Sequence, residues 1–277
     1  MLPLTSFSSI NAIFNRFGFE VEITHDQSLT LRLQQAAHPE STRPESMHHS
    51  GGAAAETRYI YVDVICKALE WTLNQKNQAD FKVAVVGLGL GYIEIGWAQS
   101  LLQTKHSSLE ISRQITLDTF EVVPQLQSFF SNWFLQKKTD PESLLLHQMY
   151  EFICLKLNDQ VNPSSVAQVL KDAQDKGFLR FQNDLLQFTQ APPQKWNLIC
   201  YDAFSSKTSS LLWSASFLND LLEQHASENC IFTTYACTGN LKTVLKNKGF
   251  RLIKRPGFLG KRDSTLAVRG CYQELEF

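Results

Sequence analysis

The chain has 277 residues, of which 43% are hydrophobic and 19% charged, and its formal net charge is −1. A chain of this length buries a sizeable core without disulfides, so a small cystine-stapled fold is excluded. A net charge near zero gives no overall attraction to polyanions, and any nucleic-acid partner must therefore be held by a local basic patch. The six cysteines form no C-x-x-C pair, which argues against a zinc ribbon or an iron–sulfur cluster.

The sequence shows no export or membrane segment. Its amino terminus lacks a basic region followed by an apolar block, and no apolar stretch reaches the width of a bilayer. We therefore expect a cytoplasmic protein with no membrane partner.

The first part of the chain predicts a hairpin, a loop and a helix. Residues 19–33 alternate apolar and polar side chains around a His-Asp-Gln turn, which is typical of a β-hairpin. Residues 34–55 are polar and contain prolines and a glycine pair, which favours a loop, and residues 56–74 have apolar side chains at helical spacing. We expect residues 1–55 to carry a lid loop and residues 56–277 to form the main domain.

Strand-like and helix-like segments alternate through the rest of the chain. Alternation of this kind predicts an α/β fold with a mostly parallel sheet and helices on both faces. The polar, helix-patterned residues 125–176 predict a helical insertion. The predicted strands are residues 82–86, 114–120, 178–182, 197–201 and 230–234, and the helical patterns between them include residues 211–225 and 240–248.

A glycine-rich turn follows the first of these strands, with Gly87, Gly89 and Gly91 in the pattern G-x-G-x-G. Glycines at this turn of a doubly wound sheet let backbone N–H groups approach a ligand. A dinucleotide fingerprint requires glycine or alanine where this chain has Tyr92, and no Walker loop is present. The remaining common user of such a turn is S-adenosylmethionine, although a merely tight connection would look the same.

Three acidic residues follow predicted strands. Glu121 is placed to accept hydrogen bonds from ribose hydroxyls, as dinucleotide folds do, or to cap a helix. Asp184 could accept from an adenine amino group, but it is also a good helix start. Asp202 falls at the carboxyl edge of the sheet, where open α/β sheets carry out chemistry. The order of these features supports a cofactor site followed by a reaction site.

Three stretches resemble one known family. They are "MHHSGGAAAETRYIY" at residues 47–61, "VVGLGLGY" with "TFEVVP" after it, and "YDAFSSKTSSLLWSASFLNDL" followed by "TTYACTGNLKTVLKNKGF" and "KRPGFLGKRDSTLAVRG". In order and content they are similar to the methyltransferase domain of the tRNA 5-methylaminomethyl-2-thiouridine biosynthesis protein MnmC, over about residues 28–270. Where bifunctional members have prolines after the Asp-x-Phe motif, this chain has serines and threonine.

The resemblance implies a class I, S-adenosylmethionine-dependent methyltransferase fold. It also implies methylation of the aminomethyl nitrogen on the wobble uridine of tRNA, which converts 5-aminomethyl-2-thiouridine into 5-methylaminomethyl-2-thiouridine. No second glycine-rich motif for FAD is found within these residues, so a separate FAD-dependent oxidase is a candidate partner. On this reading Asp202 orients the amine and takes its proton, directly or through water.

Two further sets of residues are candidates for substrate contact. Phe204, Trp213 and Tyr235 lie in strand-end loops and could form an aromatic wall, although core packing explains Trp213 equally well. His49 and Ser50 could hydrogen-bond substrate from the lid loop. The adjacent histidines have no partner at metal-ligand spacing, so we expect no metal site.

A basic patch spans residues 239–262 and contains no acidic residue. Lys254, Arg255 and Lys261 are its predicted tRNA contacts, because local cations can neutralise phosphates on a protein without net positive charge. A basic helix face is also commonly just solvated surface. Its members are Lys242, Lys246, Lys248, Arg251, Lys254, Arg255, Lys261 and Arg262.

Two other functions stay open at this point. One is a methyltransferase of the same fold with a different amine or macromolecule as acceptor. The other is a paralogue that keeps the fold as a binding module without turnover. Binding of S-adenosylmethionine separates an enzyme from a retired scaffold, and methylation assays separate the acceptors.

Overall fold

The computed structural model describes residues 4–34, 44–75, 80–104, 115–188, 194–260 and 263–277. It begins with helix α1 (Leu4–Asn15) and a small antiparallel sheet of strands β1 (Phe19–Ile23), β2 (Leu29–Leu33) and β3 (Glu45–Ser46). The predicted hairpin is confirmed. The predicted loop at 34–55 is wrong in part, because β3 and the start of the next helix lie within it.

One helical segment leads into the main sheet. Helix α2 (Ala53–Thr57) continues without interruption into a π-helical turn (Arg58–Val62) and then into α3 (Asp63–Asn74). The helix predicted at 56–74 is therefore confirmed, with an earlier start. The π turn, which widens the helix by one residue, was not predicted from the apolar spacing.

A seven-stranded sheet forms the centre of the protein. Its strands run in the spatial order β6-β5-β4-β7-β8-β10-β9, and β10 pairs antiparallel with both neighbours while the rest are parallel. The five predicted strands are confirmed, whereas β9 and β10 were missed. The strands are β4 (Phe81–Val86), β5 (Ile115–Phe120), β6 (Leu179–Gln182), β7 (Trp196–Tyr201), β8 (Ala226–Thr234), β9 (Arg251–Ile253) and β10 (Thr265–Arg269).

Alternate residues of β4 face opposite sides of the sheet, as the two-residue period of a strand requires. Val83 and Val85 join a core that also contains the hairpin and the helical insertion, while Ala84 and Val86 join a second core under the carboxyl-terminal helices. Because both faces of β4 are buried, its sequence is continuously apolar rather than alternating.

Helices cover both faces of the sheet, as predicted. The insertion consists of α5, α6 and α7, which pack against one another and two of which pack against α4. No helix among the described residues is long and apolar enough to cross a membrane. The remaining helices are α4 (Tyr92–Gln103), α5 (Pro124–Phe134), α6 (Pro141–Leu157), α7 (Pro163–Asp175), α8 (Leu185–Phe188), α9 (Ala215–His225) and α10 (Gly239–Asn247).

Candidate active site

The carboxyl ends of the parallel strands open onto a cleft of about 460 Å³. Small-molecule sites typically enclose about 300–1,000 Å³, so the cleft suits a cofactor-sized ligand. The segment after β2 covers one side of it. The cleft brings together several residues predicted from the sequence, namely Gly87, Gly89, Glu121, Asp184, Asp202 and Phe204.

Each of the three glycines of the turn lies close to a different neighbour, which leaves little room for a side chain. Gly87 (φ 96°) approaches the end of β7, since a Cβ atom there would stand 2.7 Å from the backbone oxygen of Asp202. Gly91 (φ 74°) begins α4, and a Cβ atom there would stand 2.5 Å from the Phe130 ring. A Cβ atom on Gly89 (φ 52°) would point at the Met47 sulfur, 3.0 Å away. Only Gly87 and Gly89 line the cleft, so Gly91 shapes the turn from behind.

Glu121 lies directly after β5 and is only 8% exposed. Its Oε2 accepts the N–H of Gly89 at 3.2 Å and its Oε1 accepts the N–H of Val123 at 2.9 Å. Burial raises the pKa of this carboxyl, and the backbone donors oppose that shift in part. A buried carboxylate whose donors are backbone amides gains from further hydroxyl donors supplied by a ligand.

Asp184 lies two residues after the end of β6, the strand at one edge of the sheet. Its Oδ1 accepts the N–H of Leu186 at 2.9 Å, and its carbonyl accepts from Phe188 at 3.0 Å. The residue therefore starts α8, as one of its two sequence interpretations proposed. It also lines the cleft, so the two interpretations are compatible.

Asp202 follows β7 and is tied to a residue far away in sequence. The hydroxyl of Tyr61, on the π turn, donates to Asp202 Oδ1 at 2.6 Å. Tyr61 is 1% exposed, and burial together with the nearby Asp202 carboxylate raises its pKa well above the usual value. Sequence reasoning missed Tyr61, although it belongs to the "ETRYIY" stretch that carried the family resemblance.

The predicted aromatic wall divides into a front and a back. Phe204 and Tyr235 line the cleft, and the Tyr235 hydroxyl donates to the Ala203 carbonyl at 2.9 Å. Trp213 is buried behind them, where its indole N–H donates to the Phe204 carbonyl at 2.5 Å and its ring packs edge-on against Tyr201. The structure thus places Trp213 as a support for the wall and not among the residues that line the cleft.

The segment that covers the cleft is fixed to its surroundings at several points. Glu45 of β3 accepts from the Ser205 N–H at 2.8 Å and the Ser205 hydroxyl at 3.0 Å, which links the segment to the loop after β7. The His48 ring contacts the hydroxyls of Thr30 and Thr57 at 3.0 and 3.2 Å. These bonds hold the segment over the glycine turn.

The two predicted lid residues differ in position. His49 lines the cleft, its N–H donates to Glu56 at 2.6 Å, and its ring packs edge-on against Phe258. Ser50 is exposed and is absent from the residues that line the cleft. Among the described residues, no group of three or more His, Cys, Asp or Glu side chains has an arrangement that could hold a metal ion.

The basic patch forms a groove of about 330 Å³ between α10, β9 and β10. Lys254 is exposed there, while the Arg255 guanidinium lies 4.1 Å from the centre of the Tyr59 ring and donates to the Ile60 carbonyl at 3.3 Å. Lys261 and Arg262 lie outside the described residues. Lys248 instead pairs with Glu223, and Arg251 donates to the Gln273 carbonyl. The cations lining the groove are Lys242, Lys246, Lys254 and Arg255.

Comparison with known proteins gives three findings. A family model described as S-adenosyl-L-methionine-dependent methyltransferase matches residues 160–270. The chain is 40% identical over 67 residues to the tRNA 5-methylaminomethyl-2-thiouridine biosynthesis bifunctional protein MnmC of Hahella chejuensis (strain KCTC 2396), a match covering 24% of this chain and 10% of that protein. The crystal structure of MNMC2 from Aquifex aeolicus superposes with a TM-score of 0.58 at 20% identity, over 96% of this chain and 78% of that one.

Fold and family match together define the protein as a class I, S-adenosyl-L-methionine-dependent methyltransferase. The matched part of the chain spans about a tenth of the length of the bifunctional relative. Within the class, the matched 67 residues are similar to the MnmC protein, and the overall fold is similar to that of MNMC2, in agreement with the resemblance seen in the sequence. The buried Glu121 carboxylate and the side-chain-free Gly89 beside it fit the cofactor, because they offer a hydroxyl acceptor next to an open backbone surface.

Proposed function

We propose that this protein methylates the aminomethyl nitrogen of the modified wobble uridine in tRNA, forming 5-methylaminomethyl-2-thiouridine. One observation carries the proposal. A carboxylate suited to handling an amine, Asp202, shares a cleft with the glycine turn and Glu121, and a cationic groove is joined to that site through the π turn. The bifunctional relative from Hahella, a tRNA 5-methylaminomethyl-2-thiouridine biosynthesis protein, suggests the substrate class.

The cofactor half of the cleft is proposed to consist of the turn at Gly87, Gly89 and Gly91 with two strand-end acids. Glu121 accepts hydrogen bonds from the ribose hydroxyls, and Asp184 accepts one from the adenine amino group. S-adenosylmethionine, when bound, supplies an electrophilic methyl group. The buried position of Glu121 makes this recognition effective, because hydrogen bonds to a charged acceptor are strong in a water-poor site.

The acceptor half centres on Asp202. An alkylamine is mostly protonated at neutral pH and reacts as a nucleophile only after it loses a proton. A carboxylate within hydrogen-bond reach holds the ammonium group, orients it and accepts that proton, directly or through a water molecule. Phe204 and Tyr235 supply aromatic surface for the base or the cation, with Trp213 behind them.

The remaining contacts are proposed to bring the tRNA to the cleft. Lys254, Arg255 and Lys261 bind phosphates, together with the groove's lysines, and the bonds formed would make tRNA binding salt-dependent. His49 and Ser50 are proposed to meet the substrate from the lid that residues 1–55 carry. Glu45 and His48 fix this lid, so its contacts are available without a large rearrangement.

The deciding experiment supplies tRNA purified from cells that lack the final methylation, together with S-adenosylmethionine carrying a labelled methyl group. Mass spectrometry of the digested nucleosides should show labelled 5-methylaminomethyl-2-thiouridine. Cofactor binding by calorimetry without a labelled nucleoside would refute the tRNA substrate. Transfer of label to an added small amine would then point to another acceptor, and no transfer to a binding role.

A further inference from the structure

The π-helical turn Arg58–Val62 changes the direction in which the following side chains of its helix point. Each residue of an α-helix advances about 100° around the axis, so a one-residue widening rotates the side chains that follow. Turns of this kind are frequent at functional sites. The Ile60 carbonyl of this turn accepts from two donors outside the helix, namely the Thr233 hydroxyl at 2.7 Å and the Arg255 guanidinium at 3.3 Å.

The residue after Ile60 reaches the reaction site. The Tyr61 ring is buried, and its hydroxyl lies 2.6 Å from Asp202 Oδ1 and 3.4 Å from the Tyr201 carbonyl. Thr233 is on β8 and Asp202 follows β7, so the turn is clamped to two neighbouring strands at once. Burial of the ring and the short bond to Asp202 restrict the rotamers of Tyr61 and favour one direction for its hydroxyl.

We propose that Tyr61 is a positioning residue for methyl transfer, whose hydroxyl holds the Asp202 carboxylate in one orientation and stabilises its ionised form. The inference rests on the proposed role of Asp202 and adds a residue to it. A carboxylate that is already fixed loses no further rotational freedom when it binds the substrate amine. The barrier to methyl transfer is lower for that reason.

The chemistry of Tyr61 limits it to that role. Its raised pKa keeps the phenol protonated at neutral pH, so it donates to the carboxylate and does not itself act as a base. Among the described residues, two further titratable groups that the Asp202 carboxylate affects are Cys200 on β7 and Tyr235 after β8, and burial raises the pKa of each. The carboxylates of Glu45 and Glu56 also raise the pKa of Tyr235. At neutral pH the phenols and the thiol are therefore neutral neighbours of the carboxylate.

Two variants of the full-length protein test the inference. Tyr61→Phe removes the hydroxyl and keeps the ring, while Tyr272→Phe is the matched control, because Tyr272 is equally buried but its hydroxyl meets Thr72 at 3.1 Å, away from the cleft. We expect Tyr61→Phe to lower kcat for tRNA methylation by roughly 10- to 100-fold, with KM for tRNA within about threefold and cofactor affinity unchanged. An equal effect in Tyr272→Phe would overturn the inference.

A second measurement needs neither tRNA nor turnover. Carbon-13 NMR of aspartate carboxyls, with the Asp202 signal assigned by its loss in Asp202→Asn, follows ionisation of this group in the protein alone. Removal of a donor to the ionised form should move its titration midpoint upward by about one pH unit. An unmoved midpoint in Tyr61→Phe, with Tyr272→Phe as reference, would contradict the proposal.

Replacement of Tyr61 by 3-fluorotyrosine covers the case in which Tyr61→Phe does not fold. The fluorine makes the phenol a stronger donor with almost no change in shape, so the Asp202 midpoint should move downward, and an upward or absent shift would refute the contact. If the wild-type protein fails to methylate tRNA, the proposed function falls, yet the titration still decides whether Tyr61 controls Asp202.

Discussion

Two carboxylates stand at strand ends on either side of β4 and are held in different ways. Glu121 accepts backbone N–H groups, from a residue 2 positions away and from one 32 positions away on the glycine turn. Asp202 accepts a side-chain hydroxyl from a residue 141 positions away. Under the proposed function, the first arrangement provides a buried acceptor for ligand hydroxyls, and the second fixes the direction of the carboxylate that meets the amine. The two strand ends, one on each side of β4, would then serve cofactor binding and chemistry separately.

The largest expected effect comes from removing the carboxylate of Asp202, the residue with the proposed chemical role. Asp202→Asn keeps an oxygen for Tyr61 but cannot accept the amine's proton, so the methylation rate should fall by roughly 10²- to 10⁴-fold. Affinity for S-adenosylmethionine should stay within about threefold, because the substitution leaves the Glu121 side intact. Single-turnover transfer of a labelled methyl group measures the first quantity and calorimetry the second.

The control for this variant is Asp159→Asn, which removes an exposed carboxylate in the turn after α6. It should change neither quantity. If Asp202→Asn lost cofactor binding as completely as activity, the two strand tips would not have separate roles.

The next effect in size comes from the binding side. Glu121→Ala removes the proposed acceptor of the ribose hydroxyls, and each hydrogen bond to a charged group contributes about 1.5–3 kcal/mol. We expect cofactor affinity to fall by roughly 10- to 100-fold in calorimetry. The loss of methylation should be recovered in part by raising the cofactor concentration, which would not help Asp202→Asn.

Glu70→Ala is the matched control, since Glu70 is an exposed carboxylate on α3. Unchanged cofactor affinity in Glu121→Ala would place the ribose elsewhere and remove the basis of the comparison.

Glu121 and Asp202 also differ in how much of their surroundings can be predicted from the sequence. Glycines after an apolar strand and an acid at the next strand end are local patterns, so the turn and Glu121 could be predicted from spacing alone. The contact between Tyr61 and Asp202 depends on how the π turn rotates a helix and on how that helix lies across the sheet. Nothing in the apolar spacing of residues 56–74 encodes that rotation.

The glycine turn and the aromatic wall give two further cases. The sequence left the three glycines open to two explanations, approach to a ligand or a tight connection, and the structure shows that close neighbours require two of them: the Asp202 backbone for Gly87 and the Phe130 ring for Gly91. The sequence left core packing open for Trp213 but did not decide it. Packing between distant elements determines that Tyr235 lines the cleft and that Trp213 lies behind Phe204 and Tyr201.

A third carboxylate, that of Glu94, is also buried, but it does not line the cleft. It therefore shows what burial alone does to a carboxylate in this protein. Glu94 on α4 accepts from the Thr119 hydroxyl through Oε1, and its Oε2 has no hydrogen-bond partner among the described residues. Burial raises its pKa to about 8. The unfolded chain loses this proton near the ordinary value of about 4.3, so stability is lost as pH rises from there toward 8.

Glu94→Gln should remove that loss. We expect its free energy of unfolding to exceed that of the wild type by on the order of 2 kcal/mol at pH 8 and by much less at pH 5, as measured in urea. Glu151→Gln, on the exposed side of α6, should show no such pH-dependent gain. A gain equal at both pH values would mean that Glu94 is ionised in the folded protein.

The smallest expected effect concerns tRNA binding at the cationic groove, which lies on the Asp202 side of the sheet. Lys254 is exposed in the cationic groove, and Arg255 next to it reaches the turn that carries Tyr61. Lys254→Ala should weaken tRNA binding by only a few-fold at moderate salt. It should also reduce the slope of log affinity against log salt by about 1, because each neutralised phosphate contributes about 0.9.

Cofactor affinity should not change in Lys254→Ala, since the groove strands β9 and β10 lie on the β7 side of β4, whereas Glu121 follows β5 on the other side. Lys138→Ala removes an equally exposed cation from the loop between α5 and α6, so its salt slope should match the wild type. If the slope fell equally in both variants, the attraction would come from the whole surface. A protein with net charge −1 has no overall attraction for a polyanion, so we do not expect that result. An unchanged slope in Lys254→Ala would place the tRNA on another face of the protein.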